Sequence, residues 1–109
     1  MKIQLLSFPG CPNAAAAREA LRRVLAAREI DAPIEEVDTS SAATPEHLRG
    51  WGSPTVLIDG VDVAGERSPG EASCRLYRDA AGRIQGTPPV VLIEAALIRM
   101  TRSESEVRP

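Results

Sequence analysis

The order of strand and helix patterns along this 109-residue chain predicts an α/β domain, β-α-β-α-β-β-α, with a mixed four-stranded sheet flanked by helices. Three observations carry the prediction. A strand pattern, a helix pattern and a second strand pattern follow one another at the start, which makes a βαβ unit whose two strands are parallel. A hairpin pattern around Asp59-Gly60 adds an antiparallel pair, so the sheet is mixed. A last helix pattern closes the chain against the sheet.

The elements follow in order. "KIQLLSF" places Ile3, Leu5, Leu6 and Phe8 in a buried strand that Pro9 and Gly10 stop. From Pro12 to about Glu29 the chain is rich in Ala, Arg, Leu and Glu. There Ala14, Ala17, Leu21, Val24, Leu25 and Arg28 recur at helical spacing, and Pro12 suits a first helical turn. "IEEVD" gives the second strand, ending at Asp38. Thr44 before Pro45 reads as an N-cap, and "PEHLRGWG" supplies about two turns of helix. A strand over Thr55–Ile58, a turn at Asp59-Gly60 and a return strand from Val61 to about Ala64 form the hairpin. Residues 65–86, with "SCRLYRD", read as a long loop holding a short strand or a turn of helix. Thr87 then caps a helix opening with Pro88, whose Val91, Leu92, Ala95, Ala96 and Met100 face the sheet; 101–109 read as a polar, flexible tail.

Composition narrows the function classes. The chain is 43% apolar, enough for one core and one domain over residues 1–100. Its 13 Lys and Arg against 15 Asp and Glu are scattered, without the basic stripe that phosphate backbones require, so nucleic acid is excluded as a partner. No apolar run reaches bilayer length, and a soluble, cytoplasmic protein without membrane contact is expected. Two cysteines are too few for a disulfide scaffold in a reducing compartment, which leaves reactivity or soft-metal binding as their use.

The chemistry concentrates at Cys11, in "SFPGCPNAAAAREAL". A thiol at the start of a helix faces unpaired N–H groups and the positive end of the macrodipole, which favour thiolate over thiol. Where a Cys-x-x-Cys motif has its second cysteine, this chain has Ala14, so a mixed disulfide at Cys11 has no local thiol to resolve it. Cys74 is either a second thiol or a small buried hydrophobe. His47 stands alone as the one histidine and reads as a solvated side chain. Trp51 and Tyr77 complete a core or its rim, or shape a groove near Pro54. Glu35 and Glu36 read as strand-end solvation. The acids Asp59, Asp62 and Glu66 of "DGVDVAGERSPG" lack calcium-loop spacing and read as a turn and a loop.

With "CPNA" after the first strand and "GSPT" opening the third, the chain resembles the thioredoxin-like superfamily over most of its length. "FPGCPNA", "WGSPTVLIDGVDVAG" and "SCRLYRD" are more narrowly similar to small bacterial thioredoxin-family or alkylmercury-lyase-like proteins. The resemblance implies a cis peptide bond at Pro54, set against Cys11, and a backbone at Ser53 free to pair with a substrate; Pro12 and Ser53 then border the substrate with Pro54. It implies thiol–disulfide chemistry on a thiol or disulfide substrate, with Cys11 as nucleophile and Cys74 or an external thiol such as glutathione resolving the product. No other cofactor is expected. Two alternatives stand beside this reading: capture of a soft metal such as mercury by Cys11 and Cys74, whose thiolates select soft ions, and a redox-silent module that binds another protein through the Pro54 groove.

Overall fold

β1, Ile3–Ser7, lies inside the sheet because its residues are apolar on both faces, and it is flanked by β2, Ile34–Asp38, and β3, Thr55–Ile58. The computed structural model describes residues 1–66, 75–79 and 81–107. β1 runs parallel to β2, from Ile3 opposite Ile34 to Ser7 opposite Asp38. It runs antiparallel to β3, from Ile3 opposite Ile58 to Leu6 opposite Thr55. β4, Val61–Asp62, pairs antiparallel with β3 and completes a four-stranded mixed sheet in the order β2-β1-β3-β4.

Alternation along β1 divides the core in two. Ile3 and Leu5 meet Val56, Ile58 and Val63 under α1, Ala14–Ala27, and α2, Val90–Val107, so both helices cover the same face. Leu6 and Leu57 face the other side, where Leu48 and Trp51 cover them. Trp51 thus completes a core, and its indole N–H donates to the carbonyl of His47 at 3.2 Å.

The helix and hairpin patterns hold with local corrections. α1 buries Ala17, Leu21, Val24 and Leu25 as its period predicts, but it begins at Ala14, with Asn13 as N-cap and Pro12 in the turn before it. Its C-terminus closes with Glu29 N–H to the Ala26 carbonyl and Ile30 N–H to the Leu25 carbonyl, the paired bonds of a Schellman motif, with Glu29 at φ +54. Asp59 and Gly60 both have positive φ, +50 and +83, which is the backbone a two-residue type I′ hairpin needs. β4 is shorter than expected, although Val63 N–H continues the pairing to the Val56 carbonyl.

Three elements differ from the pattern. In place of a two-turn helix after Thr44, the chain makes a single 3-10 turn, Glu46–Leu48, between extended Pro45 and extended Arg49. The Thr44 hydroxyl donates to the Asp38 carbonyl instead of capping a helix. Residues 65–86 contain a second, two-stranded sheet, β5 Tyr77–Arg78 against β6 Ile84–Gln85, whose turn is tied by the Asp79 carboxylate accepting from the Ala81 and Arg83 N–H groups. The helix expected to open at Pro88 begins at Val90, where the Pro89 carbonyl accepts from Leu92 and Ile93; Thr87 instead accepts from the Gln85 amide. Its buried face is Ile93, Ala96 and Leu97, while Val91 is 57% exposed. The helical backbone continues past Met100 to Val107, where a tail was expected, since "TRSESEV" contains no helix breaker.

Candidate active site

Each strand delivers one part of the site to the same end of the sheet. β1 ends at Ser7 and the chain turns back, so that the Cys11 N–H donates to the Phe8 carbonyl at 3.2 Å and the Cys11 carbonyl accepts from Ala14 at 3.3 Å. Cys11 is a free, half-buried thiol in this turn, beside exposed Pro9, Gly10 and Pro12. It precedes the N-cap of α1 instead of lying within the helix.

β3 enters from the other side. The Ser53–Pro54 bond is cis and both residues are buried. The Ser53 hydroxyl accepts from the Phe8 N–H at 3.4 Å, which ties the start of β3 to the first residue of the Cys11 turn. Cys11, Pro12, Ser53 and Pro54 are therefore gathered at one end of the sheet. Cys74 lies outside the described residues.

The Ser53 carbonyl, half of the backbone expected to be free, accepts from the Arg75 N–H at 2.8 Å. The next carbonyl, that of Pro54, accepts from the Tyr77 hydroxyl. The Arg75 guanidinium crosses the Tyr77 ring at 4.7 Å, donates to Thr55 Oγ1 at 3.0 Å and forks onto both oxygens of Asp62, at 3.0 and 2.6 Å. Asp62 is buried and also accepts from the Glu66 N–H at 2.9 Å. Tyr77 and Arg75 thus form a strap across the entrance of β3.

This cluster escaped the sequence reading. Asp62 was legible in principle, as an acid at an inward position of a strand whose neighbours are valines. Arg75 was not, because its partner lies across a segment with no periodicity.

Burial pushes the Tyr77 phenol up from 10.0 to about 12, with the Arg75 charge opposing the shift. The folded state therefore keeps this proton to higher pH than the unfolded chain does. The stability it contributes is complete below pH 10.0 and is lost as the pH rises through about 12. Tyr77 is the one tyrosine, so phenolate absorbance follows this residue alone. It is expected to appear close to pH 12 in the native protein and near the ordinary phenol value in denaturant; coincident titrations would show that the strap is open.

On the β2 side of the Cys11 turn, Ser7, Phe8, Pro9, Glu36, Val37 and Asp38 line a shallow hollow of about 240 Å³. Both of its acids are engaged, and so is neighbouring Glu35. Glu36 pairs with Arg18 of α1, so it does more than solvate a strand end, and Glu35 accepts from the buried Gln4 amide at 3.1 Å. The Ser40 hydroxyl and N–H hold the Asp38 carboxyl below its usual range, which keeps it ionised beside the turn. On the far side, Gly86 approaches Asn13 so closely that a Cβ there would lie 2.3 Å from the Asn13 amide nitrogen, so the chain after β6 touches the residue capping α1.

His47 is exposed on the 3-10 turn. Among the described residues no three His, Cys, Asp or Glu converge as metal ligands, and no helix is long and apolar enough to cross a membrane. Compared with known proteins, the chain matches no family model, no curated protein and no solved structure.

Proposed function

We propose that the chain is a thioredoxin-like thiol–disulfide exchange protein in which Cys11 is the nucleophile. The observation that carries this reading is the placement of a half-buried free thiol in the turn that joins β1 to α1, hydrogen-bonded through Phe8 to the Ser53 hydroxyl at the start of β3. A mixed four-stranded sheet in which β1 runs parallel to β2 and antiparallel to β3 supports the thioredoxin-like reading.

In the reaction the Cys11 thiolate attacks one sulfur of a disulfide. A bond forms between the two sulfurs, the old S–S bond breaks, and the second sulfur leaves as a thiolate that takes up a proton. The mixed disulfide on Cys11 is then resolved by one of two thiols. Either Cys74 attacks the Cys11 sulfur, forming a Cys11–Cys74 disulfide while the substrate's sulfur leaves as a thiolate, and external thiol later reduces that disulfide; or an external thiol such as glutathione attacks the substrate-side sulfur, forming a disulfide with it while Cys11 leaves as a thiolate. Pro12, Ser53 and Pro54 border the sulfur under attack.

The test is reduction of a glutathione mixed disulfide by wild type, Cys11→Ser and Cys74→Ser protein in the presence of excess glutathione. Turnover is expected to fall to background in Cys11→Ser. Retention in Cys74→Ser assigns the resolving role to glutathione, and loss there assigns it to Cys74. Turnover that survives Cys11→Ser would remove the proposal.

A further inference from the structure

We propose that the Arg75–Tyr77 strap restricts the site to compact disulfides and keeps extended polypeptide chains away from Cys11; this rests on the exchange reading above. A polypeptide that presents a disulfide in an extended segment must find partners for the backbone N–H and C=O groups it buries beside the thiol. The natural place for them is the edge at the start of β3, by addition of a strand. Here that place is filled from within: the Ser53 carbonyl is taken by the Arg75 N–H, the Pro54 carbonyl by the Tyr77 hydroxyl, and the Arg75 side chain is anchored on Asp62 and Thr55. An incoming chain has to displace these bonds before it makes its own.

The approach from the other side is different. Pro9, Gly10 and Pro12 leave the turn exposed, and the hollow of about 240 Å³ between Phe8 and Asp38 lies next to it. It is open to solvent and gives a small substrate a place to rest against Phe8 and Pro9 without displacing any bond of the strap. The strap and the hollow point to the same substrate class, a low-molecular-weight disulfide.

The experiment compares two substrates with one leaving group: the thionitrobenzoate mixed disulfide of N-acetylcysteine amide, and the same disulfide on a cysteine within an extended, unstructured peptide. Reduced full-length protein carrying Cys74→Ser reports attack by Cys11 alone, through released thionitrobenzoate. The peptide is expected to react more slowly by about tenfold or more, because the strap must open first. Tyr77→Phe removes one anchor and should raise the peptide rate about fivefold relative to the compact substrate, with far-UV circular dichroism confirming the fold. Equal rates in the wild-type strap, or a ratio unmoved in folded Tyr77→Phe protein, would overturn this inference while leaving the exchange reading intact. Failure of both substrates to react faster than a free cysteine would overturn the exchange reading, and this inference with it.

Discussion

Replacing Arg75 by alanine is expected to destabilise the protein by about 3–5 kcal/mol, because the change strands a carboxylate that has no access to water. The Asp62 side chain is fully buried and that of Arg75 is 15% exposed, so the pair lies beyond the range of a screened surface ion pair. With Arg75 gone, Asp62 keeps the Glu66 N–H, and Thr55 Oγ1 loses a donor. The double replacement Asp62→Leu with Arg75→Met removes both charges and fills similar volume, and it should recover most of the loss, since an apolar pair of matching shape commonly does as well as a buried ion pair. Urea denaturation followed by circular dichroism measures both. A loss under about 1 kcal/mol in Arg75→Ala would class the pair with ordinary surface contacts and remove the anchor assigned to the strap.

The parts of this molecule that were legible in the sequence are those in which a local period or a local turn decides the structure. Ile3, Leu5 and Leu6 announced an inner strand. Ala17, Leu21, Val24 and Leu25 announced the buried stripe of α1, and Asp59-Gly60 announced a turn with positive φ. Where a residue's role depends on a distant partner, the local signal misled. Thr44 and Thr87 look like N-caps, yet the first donates to Asp38 and the second accepts from Gln85, since short polar side chains bond to whichever backbone or amide the fold brings near. The candidate site divides in the same way. Cys11 and Pro54 could be read from their motifs, whereas the occupied carbonyls of Ser53 and Pro54 depend on a segment more than twenty residues along the chain, at Arg75 and Tyr77.

The helix α2 gives the second large effect, and it separates the sequence period from the packed face. Leu97→Ala is expected to cost about 2–5 kcal/mol, while Val91→Ala is expected to cost within about 0.5 kcal/mol of nothing. Leu97 is fully buried in the cluster with Ile93, Ala96, Leu5 and Val56, so truncation leaves a cavity under both helices. Val91 belongs to the face that apolar spacing alone assigns to the sheet, but it is 57% exposed in the first turn of the helix. The difference arises at the helix start. "PVVLIEAALIRM" is apolar at so many positions that two faces fit a period of 3.6, and the choice between them falls to the buried Pro88 and Pro89, which set where Val90 begins the helix. Thermal or urea denaturation of the two variants tests the assignment directly. A larger loss in Val91→Ala than in Leu97→Ala would mean that α2 is rotated on the sheet and that the core described above is misassigned.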